Sequence, residues 1–247
     1  MENKKPVIIA HRGASAYAPE NTMAAFQKAV DLSADGIEFD VKCSKDGEMV
    51  IIHDQTLERT TNGHGKVIET NLKNLRDLDA GSFYSPEFTG EKIPLLSEVL
   101  EEFSKKLFIN IELTNYSSIS DGLARKAATL VKRMRIEENV IFSSFHPYNL
   151  IITRRIVPIV PVALLAPPGI SGWIFRSNMM RWISPEIIHP YFNDVDKRFI
   201  DKQHQENRKV NVWTVNTETD IKKLLKDKVD GLITDDPILA RRLMNDN

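Results

Sequence analysis

The stretch Gly36-Ile37-Glu38-Phe39-Asp40-Val41-Lys42 reads as an extended strand, because apolar and charged residues alternate along it with a period of two. Ile37, Phe39 and Val41 then share one face, and Glu38 and Asp40 share the other. Two neighbouring carboxylates buried in a sheet repel each other and are costly to desolvate, so the face that carries them needs a cation or an aqueous mouth. The inner face of a closed parallel barrel, near the C-terminal ends of its strands, supplies such a place.

Outward from this strand, short β-branched runs alternate with amphipathic stretches almost from end to end, the pattern of repeated β/α units. Residues 6–10 predict a first strand and 21–32 a helix, with Asn21 as its N-cap. Residues 49–52 continue the extended structure after the Asp46-Gly47 turn signal. The segment Gln55–Pro94 has no clean period and holds Asn62-Gly63, Gly65, Gly81, Pro86 and Gly90, so it reads as a small insertion with too few apolar residues for its own core. After it the alternation resumes. Strands are expected at 107–113, 140–144, 159–165, 183–187, 209–215 and 231–233, with helices at 96–103, 120–134, 148–156, 195–207, 219–226 and 237–244. About eight strands in 247 residues match one α/β domain, a TIM (β/α)8 barrel spanning 1–247 with a small insertion after the second strand, rather than an open doubly wound sheet.

Thirty-three basic and 34 acidic residues leave a formal charge of −1, which argues against a nucleic-acid partner. Cys43 stands alone, so no intrachain disulfide is possible and a reducing, cytoplasmic setting is expected. The start, Met1–Lys5, precedes no apolar stretch of signal-peptide length, and the apolar run 156–166 is broken by Pro158 and Pro161, so neither a leader nor a transmembrane segment is expected.

Polar residues at strand ends are the ones that can carry chemistry in such a barrel. His11-Arg12 follow the first strand, His53-Asp54 follow residues 49–52, and Glu112 in Asn110-Ile111-Glu112-Leu113 alternates with apolar neighbours as Glu38 and Asp40 do. Singly, each acid is better explained by a helix cap or a surface lysine. Together, three inward carboxylates suit a hard divalent cation, Mg²⁺ or Ca²⁺, better than Zn²⁺. His11 and His53 could take and give the protons of a phosphodiester hydrolysis, and Arg12 could hold phosphate oxygens bidentately. His64, His146, His189 and His204 lack such company, and of these only His146 is placed to reach the site. Trp213 fits a core role or a platform for a small polyol. Trp173, Phe175, Met179, Met180 and Trp182 read as a lid or as covering for the barrel, with covering favoured.

These residues form an ordered set of motifs: His11-Arg12-Gly13, Pro19-Glu20-Asn21-Thr22, Glu38-Phe39-Asp40-Val41, Asp46-Gly47, His53-Asp54, Arg59-Thr60-Thr61-Asn62-Gly63, Asn110-Ile111-Glu112, Ser144-Phe145, Trp213-Thr214-Val215-Asn216 and Thr234-Asp235-Asp236-Pro237. In this the chain resembles the glycerophosphodiester phosphodiesterases. The resemblance implies a TIM barrel with Glu38, Asp40 and Glu112 on a metal, His11 and His53 as acid/base pair, Arg12 on phosphate and Trp213 against glycerol. It also implies a small-molecule glycerophosphodiester substrate, split to glycerol 3-phosphate and an alcohol. One position departs from the family pattern: Thr114 stands where a lysine is common, two residues after the third metal-ligand glutamate, which predicts one positive charge fewer beside the phosphate. Three other readings fit parts of the pattern: a variant acting on lysophospholipids through the apolar 169–182 segment, a non-catalytic sensor, and a barrel enzyme abstracting a proton next to a carbonyl.

Overall fold

The computed structural model describes residues 5–246; of the stretch Met1–Lys5, only Lys5 lies within them. The chain runs β1 (Val7–His11), α1 (Met23–Asp31), β2 (Gly36–Cys43), β3 (Met49–Ile51), α2 (Leu72–Asp77), α3 (Leu96–Phe103), β4 (Phe108–Leu113), α4 (Leu123–Met134), β5 (Val140–Ser144) and α5 (Pro147–Ile156). It continues with β6 (Val162–Ala166), α6 (Gly169–Arg176), β7 (Ile187–Pro190), α7 (Lys197–Gln205), β8 (Lys209–Val212), α8 (Glu218–Asp227), β9 (Gly231–Thr234) and α9 (Pro237–Asn245). All strands but β3 pair in parallel, in the order β1-β9-β8-β7-β6-β5-β4-β2, and β1 also pairs with β2. That last pairing closes an eight-stranded TIM barrel, and β3 lies antiparallel on the outer part of β2.

Closure follows from the residue pattern of β2. Ile37, Phe39 and Val41 point out into a layer of apolar side chains shared with Phe26 of α1 and with Val99, Leu100 and Phe103 of α3. The Phe26 ring lies 5.5 Å from that of Phe39 and 5.9 Å from that of Phe103. Each such ring contributes about 1.5–3 kcal/mol on burial. A second layer, with Val195, Ile200, Val212, Ile221, Leu224 and Leu243, covers the β7–β9 side. Ile141, Ala163 and Ile187, with Phe108, form a smaller apolar group.

Of the expected boundaries that shift, three do so for a clear local reason. The N-cap of α1 is Thr22, whose side chain accepts from Ala25 N, while Asn21 turns to φ 59° and sends its amide to Asp40. The strand expected at 183–187 lies at 187–190, because Pro185 offers no N–H and Ser184 Oγ accepts from Arg208. The strand expected to reach Val215 ends at Val212, and Trp213 turns toward the barrel mouth. The apolar side chains of 55–94, Leu57, Val67, Leu75, Ala80 and Ile93, gather into a small cluster that draws in Val50 of β3 and the adjacent Ile52.

β7 also carries His189, fully buried, its Nε2 against the amide of Asn211 at 3.1 Å. Burial, with the nearby Arg208, pushes this imidazole down to about 3. A histidine kept neutral in the fold but free to charge when unfolded stabilises the protein fully above its ordinary value near 6.5, and that stability drains as pH falls from there toward 3. Through this window His189 contributes a slope of up to about 1.4 kcal/mol per pH unit. His189→Gln therefore gives a shallower fall of the urea midpoint between neutral pH and pH 4; an unchanged slope excludes the account.

Candidate active site

Strand register delivers the charged residues to one place. In the pairing of β1 with β2, His11 stands opposite Glu38. In that of β2 with β4, Glu38 stands opposite Asn110 and Asp40 opposite Glu112. Neighbouring strands lie about 4.8 Å apart, so side chains opposite one another on the inner face must meet. Carboxylate oxygens of Glu38, Asp40 and Glu112 come within 4.8 Å of one another. Ile52 N donates to Asp40 O, which fixes the end of β3 over the same spot and brings in His53. His11, Arg12, Glu38, Asp40, His53, Glu112 and Trp213 all line one cavity of about 460 Å³, counted with the solvent in its mouth, together with Asn110, Phe145, Leu165, Thr214 and Ile233.

Each imidazole is gripped from behind by a carboxylate. His11 Nδ1 lies 2.6 Å from Asp235 Oδ1, and His53 Nδ1 lies 2.6 Å from Asp54 Oδ1. A carboxylate acceptor requires a donor at Nδ1, which leaves Nε2 of either ring open to other partners. Asp235 is itself fixed by Ser15 Oγ at 3.0 Å and Asn216 Nδ2 at 2.5 Å. Arg59 holds Asp54 at 2.7 and 2.9 Å and Glu20 at 2.6 and 2.8 Å, and Glu20 in turn accepts from Arg12 at 2.8 Å. One chain of charge-assisted bonds thus runs from Arg12 to His53.

The turn after β1 explains why His11 and Arg12 are followed by Gly13. Arg12 adopts φ 56° and Gly13 φ 82°, and a Cβ on Gly13 would sit 2.6 Å from the Ala25 backbone. The turn folds Arg12 back so that its backbone N–H donates to Glu38 Oε2 at 3.1 Å and its Nε stands 3.4 Å from Asp40 Oδ2.

The electrostatics are those of three buried acids crowded together. Burial, then Asp40 and Glu112, raise Glu38 well above the usual carboxylate range. Burial and Asp40 push Glu112 up to about 8, against a 2.7 Å bond from Tyr116 Oη. Asp40 goes the other way: burial would raise it, but Arg12, His53 and the Asn21 amide hold it below its usual value. Glu38 Oε1 is buried without a hydrogen-bond partner among the described residues. An orphaned carboxylate oxygen beside two more carboxylates is a set of hard oxygen donors, and it fits a divalent cation.

A scan against family models matches residues 11–239 to the glycerophosphoryl diester phosphodiesterase family. The chain belongs to that family. A glycerophosphodiester phosphodiesterase of Caldanaerobacter subterraneus subsp. tengcongensis is 39% identical over 235 residues, which cover 94% of this chain and 95% of the relative. One from Bacillus altitudinis is 36% identical, covering 96% and 97%. Among solved structures, an Oleispira antarctica phosphodiesterase in complex with the product sn-glycerol-3-phosphate superposes with a TM-score of 0.87 at 29% identity, covering 98% of this chain and 97% of that one. Membership makes the chain a phosphoric diester hydrolase and sets aside the sensor and the proton-abstracting barrel enzyme.

Several parts of this candidate site escaped the reading of the sequence. Asp235 and Asp54 stood in quoted motifs without a role, Tyr116 was not singled out, and the Glu20–Arg59 link spans 39 residues. His146 does not line the cavity; it is the N-cap of α5, with its ring accepting from Tyr148 N. Thr114 does not leave the region short of a cation either. Lys42, two residues after Asp40 on the same strand face, sends its buried ammonium to Thr114 Oγ1 at 2.8 Å and Thr114 O at 2.9 Å. Burial pushes this lysine down to about 8, against the pull of Asp40, Glu112 and Asp54. A threonine at 114 is short enough to admit an amine from the neighbouring strand and offers it an acceptor. Lys42→Met removes that charge from behind the carboxylates and should lower kcat/KM by about 10–100-fold, the usual scale for a partner one shell out. Wild-type rates in a folded Lys42→Met would show that the ammonium is only structural.

Proposed function

We propose that this phosphodiesterase hydrolyses glycerophosphodiesters to sn-glycerol 3-phosphate and an alcohol, with a divalent cation held by Glu38, Asp40 and Glu112 and with His11 and His53 as the acid/base pair. The observation that carries the reading is the pair of imidazoles, each with Nδ1 tied to a carboxylate and each lining the cavity of the three acids. One Nε2 accepts the proton of the attacking hydroxyl and the other donates a proton to the departing alkoxide, so that neither strong acid nor strong base is needed near pH 7. Arg12 lines the cavity beside the acids, where its guanidinium would meet a phosphate oxygen. A bound Mg²⁺ or Ca²⁺ would polarise a phosphoryl oxygen and offset the charge that builds there. Trp213, with Nε1 donating to His189 O at 2.8 Å, presents its ring to the glycerol carbons. A cytoplasmic setting belongs to the same reading and is supported by a single, buried, free cysteine.

The test is release of sn-glycerol 3-phosphate from glycerophosphocholine and glycerophosphoethanolamine with added Mg²⁺ or Ca²⁺, repeated in excess chelator. Turnover that depends on the cation is expected. Equal rates with and without chelator would refute the metal assignment.

A further inference from the structure

The segment expected to cover the barrel is only half used for that. Phe175 and Met180 pack on the main core, but Ile170 is 92% exposed, Trp173 67%, Met179 74% and Trp182 64%. Ile170, Trp173 and Ile174 stand at i, i+3 and i+4 of α6, one helical face turned to solvent, while Gly172 and Phe175 face the barrel. A helix that is apolar on both faces is normally buried on both. Large apolar residues clustered at a surface mark a place where something else docks.

Charge points to the occupant. No aspartate or glutamate lies between Glu138 and Glu186, in a chain with 34 acidic residues, whereas Arg154, Arg155, Arg176 and Arg181 all fall there. Arg176 and Arg181 are paired with Asp194 and Glu206. Arg154 donates to the carbonyls of Trp182 and Ile183, Arg155 is exposed, and among the described residues neither has a carboxylate within salt-bridge distance. In a symmetric pairing of two copies the same arginines would face each other, whereas an anionic lipid surface meets both the apolar side chains and the uncompensated charge.

We propose that this wall, from Ile170 to Trp182 with Arg154 and Arg155 beside it, docks the protein on an anionic phospholipid bilayer as an interfacial anchor, with tryptophan and isoleucine entering the headgroup boundary. No helix of the described residues is long and apolar enough to cross a membrane, so the association is peripheral. α6 starts just after β6, whose Leu165 lines the active-site cavity, and Gly169 N is held by Asp194 after β7. Docking through α6 therefore brings the barrel mouth near diesters released at the lipid surface.

The experiment is co-sedimentation of the full chain with vesicles of phosphatidylcholine alone and with phosphatidylglycerol added, together with quenching of tryptophan fluorescence by brominated lipid, since two of the three tryptophans lie in the wall. The protein should pellet with the anionic vesicles, be quenched there, and be released by high salt. Ile170→Asp/Trp173→Asp should weaken vesicle binding by at least about tenfold while leaving hydrolysis of soluble glycerophosphocholine unchanged, which also shows that the variant folds. Failure of the wild type to bind anionic vesicles would overturn the proposal. So would undiminished binding by the double variant, or a dimer in solution that the double variant converts to monomer.

Discussion

His11→Ala lowers kcat for release of sn-glycerol 3-phosphate by about 10²–10⁴-fold with little change in KM, and His53→Ala does the same. The expectation rests on the proposed division of labour, in which each Nε2 would serve a different proton, so that loss of either would leave one transfer to solvent. The two single losses should not add. A site that has lost one proton carrier is limited by that step, so the double variant falls little below the worse single one. Asp235→Asn and Asp54→Asn probe the same idea more gently. Each keeps a side chain near Nδ1 but offers an amide donor as readily as an acceptor, which can turn the imidazole to the wrong tautomer. Smaller losses in kcat are expected. Retention of kcat within about threefold in His11→Ala would remove this histidine from the reaction, since that is far below the loss expected of a proton carrier.

How much of this was legible beforehand depends on whether an interaction is local or crosses the barrel. The inward pair Glu38 and Asp40 follows from strand periodicity, and Glu112 from the same periodicity one strand over. Helix α3 was bounded correctly at Leu96 and Phe103, because the Glu98 carboxylate accepts from Leu95 N at its start and Lys105-Lys106 ends the apolar period. Register was not legible. The barrel expected from the sequence closes its first strand on its last but leaves the register open, and it is the register that sets Ala10 opposite Thr234 and so brings Asp235 to His11 across 224 residues. The Lys42–Thr114 contact spans 72 residues for the same reason, and reading Thr114 alone suggested a missing cation where the next strand supplies one. Exposure was equally hidden. An apolar run such as 169–182 has the composition of a buried segment, and only the placement of Trp173 and Trp182 shows that part of it faces out.

Neutralising one acid of the cluster should move metal affinity and metal-free stability in opposite directions. Glu112→Gln keeps the shape of the side chain and the acceptor for Tyr116 Oη, but removes one of three carboxyl groups whose oxygens crowd within 4.8 Å. In excess chelator the wild type holds Asp40 ionised beside a Glu112 that burial and repulsion have pushed up to about 8, an arrangement with little compensation besides Arg12 and Lys42. The variant relieves it, and its metal-free form should gain about 1–3 kcal/mol at neutral pH, read as a higher Tm, because folding the wild type must protonate a carboxyl that is ionised in the unfolded chain, at about 1.4 kcal/mol per pH unit. With Mg²⁺ or Ca²⁺ added the order reverses. The wild type gains stability as RT ln(1 + [M]/Kd), and the variant, with affinity reduced by more than about 100-fold, gains little at the same concentration. Asp40→Asn should lose the cation as well but gain less when metal-free, since Asp40 is the acid already served by Arg12 and Asn21. A Tm that falls in chelator for Glu112→Gln, or a metal-induced shift equal to that of the wild type, would mean that the three carboxylates are not arranged around a cation.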